Sequence, residues 1–172
     1  MSVDTVASDS PVALLFPDLA EELVTTRTLL ALAPEQKFDW APHAKSMTLG
    51  QLTSHVAGLP ALATALITLD ALEFDPAVWV PKKLAGTDAV LALFDAESAK
   101  MRAALETLDW DKLNATWQMT MGGHIALSGI RRVLLRKLSI NHLVHHRAQL
   151  GVYLRLLDIP LPGSYGPSAD SR

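Results

Sequence analysis

Between Thr48 and Leu69 the apolar residues Leu52, Leu59, Leu62, Leu66 and Leu69 recur in alternating steps of three and four, and His55 takes one of those steps. That spacing is the signature of a helix that buries one stripe against its neighbours. The segment is therefore constrained to a packed amphipathic helix that carries an imidazole into its apolar seam. Its start is marked by Thr48-Leu49-Gly50-Gln51, a capping box in which hydroxyl and amide satisfy the first unpaired backbone N–H groups. Pro60 lacks an N–H and is expected to kink or restart the helix just after His55.

Three further segments show helical periodicity. The first is predicted from about Pro17 to Ala33, with Leu19, Leu23, Thr26, Leu30 and Ala33 on one stripe and Pro34 ending it. The third begins near Thr87, with Asp88 as a cap and first-turn charge, and turns Val90, Phe94, Met101, Leu105 and Leu108 inward. The last is predicted from about Ser128 to Leu157, stopping before Pro160, with a seam through Leu135, Leu138 or Ser139, His142, His146, Gln149 and Tyr153. Asp70 to Gly86, which contains Pro76 and Pro81, reads as irregular. Asp109 to Leu127, with Trp117, Met119 and Met121 before Gly122-Gly123, reads as a short extended segment or hairpin. Four long helices, a longer connection between the second and third, and polar residues within the seams predict one domain over residues 1–172, an all-α four-helix bundle with a buried site.

Composition sets limits on what that bundle does. At 172 residues, 49% hydrophobic and 19% charged, the chain is a globular domain that buries roughly two-thirds of its unfolded surface. A net charge of −3 argues against a nucleic-acid or membrane-surface binder. The longest apolar stretch, Leu59 to Leu69, is interrupted by Pro60, Thr64 and Thr68 and falls short of the ~20 residues that span a bilayer. Met1-Ser2-Val3-Asp4 has no signal-peptide character, so a cytoplasmic protein is expected. With no cysteine there is no disulfide, thiolate ligand or cysteine nucleophile, and any metal must be held by imidazole, carboxylate and water.

The chemistry concentrates in Asn141-His142-Leu143-Val144-His145-His146-Arg147-Ala148-Gln149. Residues four apart lie one turn above each other, so His142 and His146 can close on one ion, and His55 from a facing helix would complete a three-nitrogen face. Position 143 is leucine, which excludes the His-Glu-x-x-His pattern of zinc proteases. On the residues alone, three hydrogen-bonded core histidines explain the pattern as readily as a metal site does. His145 points about 100° away from His146 and is placed at the edge. Gln149 and Tyr153 read either as polar core packing or, with His145, as candidate catalytic groups that orient substrate. Arg147 is expected to pair with a carboxylate on a neighbouring helix. Arg131, Arg132, Arg136 and Lys137 read as a solvated face, Trp40, Trp79, Trp110 and Trp117 as plugs at the bundle ends, and His43 and His124 as loop residues outside the site.

His55 within LTSHVAGLP, followed downstream by NHLVHHRAQLGVYLRLLDIPLPGSYGPSAD, resembles the DinB/YfiT-like family of bacterial proteins regarded as metalloenzymes. The His-x-x-x-His-Arg-x-Gln-Leu element is present as His142, His146, Arg147, Gln149 and Leu150, and DWAPHAKSMTLGQLTSH is similar to the family's lead-in to the first ligand. The resemblance implies a four-helix bundle with a long crossover, a homodimer, and a divalent transition metal on His55, His142 and His146, nickel or zinc foremost with iron or manganese also accommodated. It further implies a small-molecule substrate and a low-molecular-weight thiol cosubstrate. Metal-dependent hydrolysis and a non-catalytic, metal-stabilised binding protein are the alternative readings. The role of the tail from Tyr165 to Asp170 is not legible at this level.

Overall fold

The computed structural model describes residues 11–79 and 83–171, so the reading of Met1 to Asp4 and of Pro81 lies outside the described residues. The chain forms helices α1 (Pro11–Leu15), α2 (Leu19–Ala31), α3 (Leu49–Thr68), α4 (Pro76–Trp79), α5 (Thr87–Leu105), α6 (Trp110–Asn114), α7 (Arg131–Arg136) and α8 (His142–Leu156). A 3-10 turn spans Glu35–Lys37 and a π-helical turn, Lys137–Asn141, joins α7 to α8. Strands are β1 (Ala71–Glu73), β2 (Thr116–Met121) and β3 (His124–Ile130).

The long helices pack in the cyclic order α2, α5, α3, α8, which leaves α2 diagonal to α3 and α5 diagonal to α8. Consecutive long helices α2 and α3 are therefore not neighbours, because the connection through Phe38 and Trp40 carries the chain across the bundle. One flank of α8 meets α3 and the other meets α2. No helix among the described residues is long and apolar enough to cross a membrane.

The predicted stripes are buried along most of their length; Leu62 and Leu108 are only partly buried, and Leu69, at the end of α3, is exposed. Leu19, Leu23, Thr26, Leu30 and Ala33 lie in the core, as do Leu52, Leu59 and Leu66 of α3 and Val90, Phe94, Met101 and Leu105 of α5. The capping box of α3 is complete: the Gln51 N–H donates to Thr48 Oγ1 at 3.2 Å and the Thr48 N–H to Gln51 Oε1 at 2.9 Å. Pro60 neither ends nor restarts α3, which runs unbroken through it. The cap of α5 is Gly86, not Thr87 or Asp88; the Thr87 hydroxyl donates instead to the Ala33 carbonyl at 2.7 Å and ties α5 to the end of α2.

The architecture is not all-α. A three-stranded sheet in the order β1-β2-β3 has β1 parallel to β2 and β2 antiparallel to β3. The hairpin turns at Gly122 and Gly123, whose φ of 57° and 78° lie in the left-handed region that a two-residue type I′ connection requires and glycine supplies freely. Ser128 to Ile130 finish β3, so the last helix begins at Arg131, later than its apolar pattern suggested. The supposedly irregular Asp70 to Gly86 connection contains β1 and α4. Alternation over short segments is a weak signal, and a three-residue strand such as β1 exists only because β2 is there to pair with it.

Arg131 corrects the reading of the basic cluster as a solvated face. It is only 3% exposed, and its Nη1 donates to the carbonyls of Leu66 and Leu69 at 2.6 and 2.8 Å. Trp117, fully buried, donates from Nε1 to the same Leu69 carbonyl at 3.1 Å. The last carbonyls of a helix have no partners within it and carry negative partial charge, so a cation and an indole N–H satisfy them well. These bonds fix the start of the last helix against the end of α3. Arg132 bonds Asn114 and Arg136 pairs with Asp18 in α2's cap, while Lys137 is exposed.

Candidate metal centre

The site forms where α8 crosses α3. Its construction starts in the π turn directly before α8, a widened turn of a kind found often at functional sites. Of the two seam candidates in that turn, Ser139 is buried and Leu138 only partly so, which resolves the seam as Leu135, Ser139, His142, His146. The Ser139 hydroxyl donates to the Leu135 carbonyl.

His55, His142 and His146 converge, with one nitrogen from each ring inside a cluster no more than 4.8 Å across. Ring centroids lie 5.3 Å apart for His55 and His142, 4.4 Å for His55 and His146, and 4.7 Å for His142 and His146. Nε2 of His142 and Nε2 of His146 are 2.9 Å apart. Two nitrogens about 2.0–2.1 Å from one ion at a right angle would be separated by about 2.9 Å. The donor set therefore fits a divalent transition metal.

Electrostatics keep these rings neutral, the form a metal requires. Burial first, then the charges of His146 and His142, lowers His55 to about 4. His142 is lowered by burial, then by His146 and His145, with the Leu138 carbonyl acting in the other direction. The buried Nδ1 of His142 has no hydrogen-bond partner. His146 is lowered chiefly by burial, against a raising hydrogen bond to Gln149. A depressed histidine pKa makes the unfolded chain bind more protons than the folded one between the two values. The metal-free protein is expected to lose stability as pH falls from about 6.5 to about 4. The lowered carboxylates Asp18, Glu73, Asp95 and Asp170 add to the loss only below their ordinary values of 3.8 to 4.5. Urea denaturation at pH about 7 and about 5 checks this, and His55→Leu should flatten the difference; equal stability at both values would contradict it.

The other sequence candidates are placed as follows. Gln149 accepts from His146, with Oε1 2.7 Å from Nδ1, and its Nε2 lies 3.2 Å from Nε2 of the exposed His145. The Tyr153 hydroxyl donates to the Met47 carbonyl at 3.0 Å, and its ring meets Trp40 edge-on. Both candidate polar groups are thus engaged. His43 accepts from the Lys45 N–H in its own loop, and His124 opens β3 on the exposed surface, a strand position where the sequence reading had a loop.

On its other flank α8 presents Arg147 to α2. Arg147 Nη1 lies 2.5 Å from Glu22 Oε2 and donates to the Glu22 carbonyl, and both side chains are buried. The expected carboxylate is therefore Glu22. The Tyr165 hydroxyl joins them, 2.6 Å from Arg147 Nη2 and 2.7 Å from Glu22 Oε1, and Arg155 pairs with Asp170. The tail thus closes over the flank of α8 away from the histidines. Sequence reasoning missed Glu22 and Tyr165, although a glutamate three residues after Leu19 falls on the buried stripe and was a signal for a buried cation.

A helical bundle that brings one histidine of α3 to an i,i+4 pair on its last helix is the arrangement the His-x-x-x-His-Arg-x-Gln element pointed to. The DinB family model matches residues 1–171. The chain belongs to the DinB family. Two solved structures of Bacillus subtilis proteins share the fold. A DinB-like protein, YjoA, is 19% identical with a TM-score of 0.66, covering 88% of this chain and 96% of its own. YfiT, described as a probable metal-dependent hydrolase with an unusual four-helix bundle topology, is 15% identical with a TM-score of 0.65, covering 93% and 94%. A DinB-like protein from Bacillus cereus is 19% identical with a TM-score of 0.66, covering 88% and 95%. No curated protein matches the chain. In this DinB protein the site is the histidine cluster that α3 and α8 bring together.

Proposed function

We infer that this DinB protein is a metal-dependent transferase that joins a low-molecular-weight thiol to small electrophilic substrates. The observation that carries this reading is the neutrality of the donor set. Three uncharged imidazoles make up the cluster, and no carboxylate among the described residues belongs to it. A divalent ion held there would keep its full charge and act as a Lewis acid toward an anionic nucleophile. The surroundings narrow the nucleophile. Gln149 is an amide and Tyr153 donates to the Met47 carbonyl, so neither serves as a base toward water, which leaves the exposed His145 as the remaining candidate base. A thiol, with a pKa near 8.5 against 15.7 for water, needs far less help to ionise. The chain has no cysteine, so that sulfur would come from outside. The thiol proton leaves to solvent, the C–S bond forms at the electrophilic carbon, and the leaving group departs with its electron pair.

Hydrolysis is the second reading, favoured by the description of the structurally similar YfiT. One experiment separates the two. Metal-loaded protein is assayed with several bacterial thiols and a chlorodinitrobenzene-type acceptor, and with esters, amides and lactones without thiol. Thiol-dependent formation of the C–S product is expected. Turnover without thiol would replace transfer by hydrolysis, and metal-bound protein inert in both arms would be a non-catalytic binding protein.

A further inference from the structure

We propose that Gln149 is a positioning residue that keeps the hydrogen of His146 on Nδ1 and so presents the lone pair of His146 Nε2 toward His55 and His142. This rests on the reading of the three histidines as a metal site.

A neutral imidazole has one N–H and one lone pair, and whatever bonds one nitrogen decides the state of the other. Gln149 Oε1 can only accept, so at 2.7 Å it fixes the hydrogen on His146 Nδ1. The amide has a second possible orientation. In the first, Gln149 Nε2 donates to His145 Nε2, 3.2 Å away, when that nitrogen carries the lone pair. With the amide reversed, its NH2 would face His146 Nδ1 and move the hydrogen to Nε2. That N–H would point at His142 Nε2, 2.9 Å away, and His146 itself would then have to shift its hydrogen before its Nε2 could ligate a metal. The device is local. Gln149 stands three residues after His146 and four after His145, on the helical spacings that bring side chains together.

A second consequence concerns His142. If His146 Nε2 is an acceptor, the 2.9 Å contact without an ion is donated by His142 Nε2–H, which leaves the buried His142 Nδ1 without a partner. Ligation through His142 Nε2 then requires its hydrogen to move from Nε2 to Nδ1.

Histidine side-chain 15N NMR on the full-length, metal-stripped protein, at roughly pH 8 where imidazoles are neutral, reads these tautomers directly. His146 is expected as the Nδ1–H form in the parent and in Gln149→Glu, whose carboxylate also accepts. Gln149→Leu is expected to give mixed tautomers at His146. Zinc affinity, measured by chelator competition, should fall about 10–100-fold in Gln149→Leu and equal or exceed the parent's in Gln149→Glu. Hydrogen on Nε2 of His146 in the parent, or a Gln149→Leu variant with parental tautomer and affinity, would overturn the proposal. Equal losses in the leucine and glutamate variants would reduce Gln149 to packing. A parent that takes no zinc would overturn the metal reading, while the metal-free spectra still judge the relay on their own.

Discussion

Replacing His55, His142 or His146 singly with alanine is expected to take the metal content from about one equivalent per chain to near zero. The reason is the number of donors. Catalytic sites of this kind use three protein ligands and an open position, and among the described residues the cluster contains only these three. Losing His55 leaves an i,i+4 pair on one helix, and losing either partner leaves one imidazole on each of α3 and α8. Among the described residues no further donor belongs to the cluster, and His145, with its ring 4.8 Å from that of His146, lies outside it. Elemental analysis of tag-free protein after reconstitution with zinc or nickel reads the result. Circular dichroism controls for folding, since all three side chains are only partly buried and alanine should be tolerated. Metal should also raise the Tm of the parent and leave the variants unmoved, because a ligand stabilises only the state that binds it. A parent that stays metal-free after reconstitution would make the three histidines polar core residues and remove both enzymatic readings. A single variant that keeps the parental metal would remove that residue from the ligand set.

Glu22→Ala should be the most damaging substitution away from the histidines, costing about 3–5 kcal/mol. Arg147 is 2% exposed and Glu22 4%, so the guanidinium cannot turn to water when its carboxylate is removed. It would be left with neutral acceptors only: the position-22 carbonyl, Thr26 Oγ1 and the Tyr165 hydroxyl. For a chain of this size that loss corresponds to a fall in Tm of at least about 6 °C. Replacing both partners with apolar residues, Glu22→Leu with Arg147→Met, should restore much of the loss, because the cost lies in the uncompensated charge and not in the absent attraction. Thermal denaturation of the single and double variants tests this. A loss under about 1 kcal/mol in Glu22→Ala would show that Arg147 reaches solvent after all.

The two predictions concern opposite flanks of the same helix, and the division shows how far the sequence could be read. Its local content was legible. The three-and-four spacing of Leu52, His55 and Leu59, the Thr48 and Gln51 capping box, and the i,i+4 relation of His142 and His146 depend on residues within one or two turns of each other. Helical geometry turns such spacings into shared faces whatever surrounds them. The hairpin around Gly122 and Gly123 was legible for the same reason, since the turn is made by two adjacent residues.

What failed to be legible involved partners distant in the chain. β1 is three residues paired with a strand more than forty positions away, and nothing within Ala71-Leu72-Glu73 announces that pairing. Arg131 reads as one more exposed cation until the carbonyls of Leu66 and Leu69 are brought to it. The π turn before His142 has no residue pattern of its own.

By itself the sequence determined that the chain would form long amphipathic helices with histidines on two of the buried seams, because periodicity is a local property of the chain. Only the tertiary structure decided that α3 and α8 would be neighbours while α2 and α3 would not. It also made Glu22 and Tyr165 the partners of Arg147. Those outcomes follow from how whole helix faces pack, and packing is settled by the sum of many distant contacts that no single segment encodes.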